Sequence, residues 1–428
     1  MQLSLRTDRQ LIRAGARSTR YLMISLTAPV VPPRAERPPV SVGLVLDRSG
    51  SMDGDRKFSL ARDAVEQSLR LLRPEDSFTL VVYDGEVDVL MPTVRATAAA
   101  KRSALHRLAD VQPRGCTDLH AGWNAGALGL VDRVGGETDV VTRLLLLTDG
   151  LANEGITDAH ELAQRARQLR TLGVATSTFG VGADFDERLL RDIAHEGGGH
   201  FYFVERPAQI PDLLTSELGE ALEVVRRDAA LQLELPTGAE AESLNRFRVV
   251  RAAGENELRL ELGDLTSGQE VCAVVRIRFP RGEHGTVTGV RVSVPGATLL
   301  QHEAEATLLW QYASHAENDA QPRDREVDRE VARLYAARAR AEATEANRQG
   351  DYDRARRVLE ATARRIHGYT FRDPELQELR LELLREVRHF ATGPMGAMAM
   401  KSAFFAAEAV AKGRGPNGKA RRVRPRAP

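Results

Sequence analysis

Between residue 41 and about residue 227, short apolar runs alternate with amphipathic stretches, and no other feature constrains the fold as strongly. The runs cover residues 42–46, 78–83, 144–148, 174–181 and 200–204, and are short and mostly apolar, as strands covered on both faces are. Between them, residues 58–72, 119–131, 159–172, 187–194 and 210–224 carry apolar side chains at helical spacing. Strand and helix in turn predict a mainly parallel, doubly wound (Rossmann-like) α/β sheet. Residues 87–91 follow the second run after a Gly-containing turn, so one antiparallel edge strand is expected.

After residue 228 the period changes to two. Leu231/Leu233/Leu235, Leu258/Leu260/Leu262, Val271/Ala273/Val275/Ile277/Phe279 and Val290/Val292/Val294 alternate with polar residues between Gly, Asn, Asp or Pro turns. Residues 228–315 therefore read as an antiparallel β-sandwich. Residues 1–40 hold two or three short strands followed by Pro32, Pro33, Pro38 and Pro39. They are too few to bury a sheet alone and are expected to pair with the later sandwich, with the α/β domain (41–227) inserted in or joined to it. Residues 322–390 read as a C-terminal helical hairpin: Val327, Val331 and Leu334 recur at helical intervals, as do Ala355, Val358, Leu359 and Ile366. The segment from Gly350 to Ala355 resembles half of one tetratricopeptide unit, whereas a solenoid needs about three such units. Residues 391–428, basic and rich in Gly and Pro, are expected to be disordered.

Charge is uneven along the chain. Sixty Lys+Arg balance sixty Asp+Glu, yet residues 1–40 sum to +5 and residues 401–428 to +7, leaving −12 for the middle. Only five of the basic residues are lysines, Lys57 among them. Cys116 and Cys272 supply neither a disulfide framework nor metal-ligand spacing, so a cytoplasmic chain is the expectation. Residues 21–31 are mostly apolar and follow arginines, but their alternation suits a strand better than a signal peptide. No run approaches the roughly 20 apolar residues of a membrane span.

The chemistry concentrates after the first apolar run, in Val45-Leu46-Asp47-Arg48-Ser49-Gly50-Ser51-Met52. A carboxylate and two hydroxyls at i, i+2 and i+4, at the carboxyl end of a buried strand, can converge oxygens on one hard cation. A second buried run ends in Leu147-Thr148-Asp149-Gly150 and brings another carboxylate to the same edge; Gly115-Cys116-Thr117-Asp118 offers a further hydroxyl at the start of a helix pattern. Each piece alone also reads as a helix cap or a turn. Together they place five oxygen-bearing side chains at the edge where open sheets bind ligands.

Asp47-x-Ser49-x-Ser51, with Thr117 and Thr148-Asp149-Gly150 downstream, resembles the metal-ion-dependent adhesion site of a von Willebrand factor A domain, over about residues 41–225. The resemblance implies a Mg2+ ion (Mn2+ or Ca2+ as alternatives) bound by Ser49, Ser51 and, in the ligand-competent state, Thr117. It implies that Asp47 and Asp149 act directly or through water. It further implies a non-enzymatic interaction protein, of bacterial type, that docks an Asp or Glu of a partner, with a MoxR-type ATPase as a candidate partner. Exchange of water for that carboxylate is expected to couple the site to the helix ending near Val224. The flanking strands resemble the β-sandwich half of bacterial proteins with inter-alpha-trypsin-inhibitor-like descriptions, without a motif.

The alternative is a metal-dependent phosphohydrolase of haloacid-dehalogenase type, which also places an aspartate after the first strand. Such enzymes need a second acid two residues on, where this chain has Ser49, and a lysine beside the later acids, for which no usual placement is seen. Cys116 reads as a small buried residue rather than a redox gate. Gly197, Gly198 and Gly199 read as a turn into the last strand, His195 and His200 lack ligand spacing, and Trp123 and Trp310 read as core residues. Arg421, Arg422, Arg424 and Arg426 without interleaved aromatics read as a tether rather than a nucleic-acid surface.

Overall fold

The computed structural model describes residues 1–31, 37–134, 140–251, 256–295, 305–368 and 373–422. The chain divides into two compact units, Met1–Val31 with Val225–Pro428, and Pro32–Val224. Strands β1 (Gln2–Thr7), β2 (Leu11–Arg13) and β3 (Ser18–Thr27) open the first unit.

The second unit holds strands β4 (Val40–Asp47), β5 (Ser77–Tyr83), β6 (Val87–Arg95), β7 (Val141–Thr148), β8 (Val174–Val181) and β9 (Gly198–Val204). Its helices are α1 (Lys57–Leu71), α2 (Ala98–Ala109), α3 (Leu119–Val134), α4 (Ala159–Thr171), α5 (Glu187–Glu196) and α6 (Ile210–Leu222). The six strands form one sheet in the order β6-β5-β4-β7-β8-β9, parallel except for β6, which runs antiparallel at the edge as expected. Every residue of β4, β5 and β7 is buried, which is why their central residues 42–46, 80–83 and 144–147 are apolar. Helix α2 was not visible in the pattern of its sequence. Only Ala104 and Leu108 of its twelve residues are buried, so it has little apolar stripe to reveal it, although Thr97 caps it by accepting the Ala100 amide.

The first unit continues with β10 (Val224–Glu234), β11 (Glu240–Ser243), β12 (Arg248–Arg251), β13 (Glu257–Thr266), β14 (Glu270–Phe279), β15 (Val287–Ser293) and β16 (Glu305–Ala313). They form two sheets with the N-terminal strands, β1-β3-β14-β11 and β12-β13-β10-β15-β16-β2. Strand β3 pairs with β14 over ten residues, Ser18↔Phe279 to Thr27↔Glu270, so the N-terminal strands complete the sandwich as the shortage of apolar surface required. The β2 pairing with β16 is parallel, an exception to the antiparallel pattern. Leu22, Ile24, Leu26, Leu231, Leu233, Val275, Ile277 and Trp310 lie in the core of this sandwich. The opposite face of β14 is also covered: Cys272 and Val274 join Val327, Val331 and Leu334 of the helix Arg325–Arg348.

Helices α7 (His315–Ala320), α8 (Arg325–Arg348), α9 (Tyr352–His367), α10 (Pro374–Ala391) and α11 (Ala397–Ala411) complete the unit. Two expectations are corrected here. Residues 322–390 form three helices rather than a hairpin, since Pro374 at the first turn of α10 and Asp373, accepting the amides of Glu375 and Leu376, start a further helix. Residues 391–422 are not a disordered tail. The Met/Ala-rich stretch is a good helix former, and α11 packs against α8 with Phe404, Ala407 and Ala411 buried. Beyond it, the Glu270 amide donates to the Arg421 carbonyl at 2.9 Å, and Arg421 pairs with Glu330 at 3.1 Å. Residues 424 and 426 lie outside the described residues.

Truncation after Ala391 is expected to lower the urea midpoint, with an unfolding free energy smaller by at least the ~1.5–3 kcal/mol carried by one buried large apolar side chain such as Phe404. Removal of a disordered tail would leave that midpoint unchanged. Among the described residues, no helix is long and apolar enough to cross a membrane.

Candidate functional site

In the strand order β6-β5-β4-β7-β8-β9 the chain moves outward from β4 in both directions, so β4 and β7 flank the point where connections diverge, a crevice that open sheets use for ligands. Asp47 ends β4, and Thr148 ends β7 with Asp149 next. Asp47, Thr148 and Asp149 are essentially inaccessible, and Ser49 and Thr117 are buried.

A continuous hydrogen-bond chain joins four of the five expected site residues. Asp47 Oδ1 accepts the Ser49 amide at 2.7 Å, and its Oδ2 accepts the Thr148 hydroxyl at 2.5 Å. The Ser49 and Ser51 hydroxyls lie 3.1 Å apart, and Ser51 donates to Asp149 Oδ1 at 2.6 Å. Thr117 faces the same space across Gly150: a Cβ built on Gly150 would lie 3.5 Å from Thr117 Oγ1 and 3.8 Å from Ser51 Oγ. Burial pushes the Asp47 carboxyl up to about 6, against the hydrogen bonds from Thr148 and Ser49. Beneath it, burial first and then the Asp47 charge raise the Tyr83 hydroxyl well above its ordinary range.

These donors fit a hard divalent cation. Asp47, Ser49, Ser51, Thr117 and Asp149 offer only oxygen, without sulfur or imidazole, which is the donor preference of Mg2+ and Ca2+. The bare Cα of Gly150 leaves the space between two of the hydroxyls open.

The loops that carry these groups are tied together by side chains that the spacing of the motif did not reveal. Asp84, just past β5, is buried and takes Arg48 Nε at 3.2 Å and Arg114 Nε at 2.8 Å, one arginine from the Asp47 loop and one from the Thr117 loop. Burial alone would raise the Asp84 carboxyl, but the Glu86 amide and the two arginines outweigh it and hold the pKa below the usual value. The Gly50 amide donates to the Gly115 carbonyl at 3.2 Å. Asn153 Oδ1 accepts the Thr117 amide at 3.0 Å, and the Thr117 carbonyl accepts the Asn153 amide at 3.2 Å. Substituting Asp84 by asparagine is expected to retain the fold and loosen both loops, read as faster amide exchange at Ser49 and Thr117 relative to β4.

Lys57 also enters the site, with Nζ 2.6 Å from Asp149 Oδ2. The scarcity of lysine was visible in the sequence; the place of Lys57 beside the later acid, 92 positions away, was not. Cys116 is exposed rather than buried, a free thiol whose pKa is raised by its hydrogen bond to Glu154 and by the Glu154 charge. His200, which lacks ligand spacing in the sequence, meets Glu217 and Glu220 in space, with one ligating atom of each within 4.8 Å of the others. Glu217 there already accepts the Ser177 hydroxyl at 2.5 Å and the Tyr202 hydroxyl at 2.7 Å. Trp123 and Trp310 are core residues, each nearly inaccessible.

Known proteins agree with this architecture. Residues 41–216 match the family model of the von Willebrand factor type A domain. The chain is 25% identical over 281 residues to the uncharacterised protein YfbK of Escherichia coli, covering 64% of this chain and 48% of that protein. It is 28% identical over 162 residues to inter-alpha-trypsin inhibitor heavy chain H1 of Mesocricetus auratus, covering 36% of this chain and 17% of that one. Thus the chain spans about half the length, or less, of these relatives. Among solved structures, a von Willebrand factor type A protein from Catenulispora acidiphila superposes with a TM-score of 0.73 at 18% identity, covering 99% of this chain and 97% of that one. The ArnB paralog VWA2 from Sulfolobus acidocaldarius gives 0.56 at 15% identity, with 96% and 98% covered. The motif at the carboxyl edge, the strand order and these matches agree that residues 41–216 are a von Willebrand factor type A domain, inserted in sequence between the strands of a β-sandwich.

Proposed function

We propose that this chain is a Mg2+-dependent, non-enzymatic interaction protein that docks an acidic side chain of a partner at the Asp47 site. The hydrogen-bonded set Asp47–Ser49–Ser51–Asp149, with Thr117 across Gly150, carries the reading. Ser49, Ser51 and Thr117 would be the direct ligands, with Asp47 and Asp149 binding directly or through water. When bound, the ion supplies a replaceable coordination position that a carboxylate can fill. Mn2+ or Ca2+ would use the same oxygens. What the protein itself contributes is orientation: Thr148 and the Ser49 amide hold Asp47, and Asp84 with Asn153 holds the loops.

The partner is defined by the carboxylate that it presents, and a MoxR-type ATPase is one candidate. Two free cysteines support a cytoplasmic location. The phosphohydrolase alternative gains the Lys57–Asp149 pair but still lacks an acid at position 49, where the hydroxyl bonds Ser51.

Calorimetric titration with Mg2+ tests the reading. The wild-type chain is expected to bind one ion, and Ser49→Ala/Ser51→Ala to weaken binding by more than the roughly 10–100-fold typical of removing a supporting partner of a metal ligand. Equal binding by both proteins would sink it. So would Mg2+-dependent turnover of a phosphate ester that Asp47→Asn abolishes.

A further inference from the structure

The turn between Ser51 and α1 passes through Asp55 and Arg56, whose φ values of 52° and 59° lie in the left-handed region that side chains rarely adopt. This path brings the first residue of α1, Lys57, back over the site. Its side chain is only 14% exposed, and Nζ donates to Asp149 Oδ2 at 2.6 Å and to the Ser51 carbonyl at 3.2 Å. The other Asp149 oxygen takes the Ser51 hydroxyl. Lys57 therefore grips the acid that shares a hydrogen bond with one of the expected metal ligands.

Charge arithmetic makes this placement consequential. Asp47 and Asp149 with Lys57 sum to −1, and a divalent cation brings the set to +1. With an apolar residue at 57 the same two acids and the same cation would sum to zero. A fixed positive charge on a carboxylate that would help to hold a cation would repel that cation, and the same charge would attract an approaching carboxylate. Because the Lys57 and Asp149 side chains are both shielded from solvent, salt screens this interaction less than a surface pair.

We propose that Lys57 is a built-in cation that sets the ligand preference of this site: it weakens metal binding and keeps the loaded site electropositive, so that the partner group captured there is an anionic carboxylate. Lys57 holds Asp149 and adds a fixed charge beside it, as a positioning residue, and the inference rests on the metal-docking reading above. Asp149 is held by two hydrogen-bond donors, and Lys57 supplies the one that also carries charge.

The test uses the full chain and two probes, Mg2+ alone and then acetate added to the Mg2+-saturated protein, followed by calorimetry and by the shift in melting temperature. Lys57→Met is expected to tighten Mg2+ binding about tenfold and weaken acetate binding by a similar factor, opposite signs that a loss of structure would not produce. Lys57→Arg, which keeps the charge, should stay within about threefold of wild type for both probes. In an Asp149→Asn background, Lys57→Met should still tighten Mg2+ binding, since the Lys57 charge repels the cation with or without a carboxylate beside it. If wild type and Lys57→Met bind Mg2+ equally, or Lys57→Met binds it more weakly, the role of Lys57 is overturned while the metal site stands. If wild type and Ser49→Ala/Ser51→Ala bind Mg2+ alike, both readings fall.

Discussion

Asp76→Ala is expected to cost about 3–5 kcal/mol, the range seen when one partner of a buried ion pair is removed and the other is left uncompensated. Asp76 is fully buried in the turn before β5. Its carboxylate receives Arg37 Nη1 at 2.8 Å and Nη2 at 2.5 Å, the Val40 amide at 3.0 Å and the Arg73 amide at 2.6 Å. It thus joins the segment that leads into β4 to the end of the α1–β5 connection, and the removal would orphan an arginine and two amides at once. Burial alone would raise its pKa, but Arg37 and the Arg73 and Val40 amides prevail and hold it below the ordinary carboxylate value. A carboxylate with a depressed folded-state pKa stabilises above its unfolded value, near 3.8, and that stability disappears as pH falls through the lower folded value. Urea unfolding of wild type should therefore weaken below about pH 4. For Asp76→Asn the acid limb should be flatter, and an unaltered limb would show that Asp76 does not supply this linkage.

The second large effect is expected at Gly122, in the first turns of α3. Glycine inside a helix costs about 1 kcal/mol relative to alanine, so propensity alone says that Gly122→Ala stabilises. The packing says the reverse. A Cβ on Gly122 would lie 2.3 Å from Tyr83 Cγ, 2.4 Å from Cδ1 and 2.7 Å from Cβ. Tyr83 is fully buried at the end of β5, and its own Cβ is among the clashing atoms, so turning the ring does not relieve the contact. Either α3 or the end of β5 must move, and α3 begins two residues after Thr117. Overpacking of this kind costs about 1–3 kcal/mol, enough to outweigh the propensity gain. A lower unfolding midpoint together with weaker Mg2+ binding is the expected result. A more stable Gly122→Ala protein would mean that the helix accommodates the methyl without disturbing the site.

Much of the α/β unit is legible from local patterning because its strands are buried on both faces. The expected run 174–181 coincides with β8 (Val174–Val181), and residues 42–46 fall within β4. The same patterning misleads where burial comes from a distant partner. Cys272 and Val274 point away from the sandwich core and are covered by Val327, Val331 and Leu334, so β14 has two apolar faces although its neighbours alternate. In the C-terminal segment the lysines and arginines dominate the charge, yet α11 folds on its Ala and Phe positions against α8.

The sequence by itself determined what is local: the order of strands and helices, the edge strand β6, and an Asp-x-Ser-x-Ser loop followed by Thr117 and Thr148-Asp149-Gly150. These are written in side-chain period and turn chemistry over a few residues. Only the tertiary structure decided which distant groups meet. Lys57 and Asp149 are 92 positions apart, and Asp84 lies 36 and 30 positions from the two arginines it joins. Such contacts follow from strand order and from which carboxylates lose water together, and neither quantity is written in any short window of sequence.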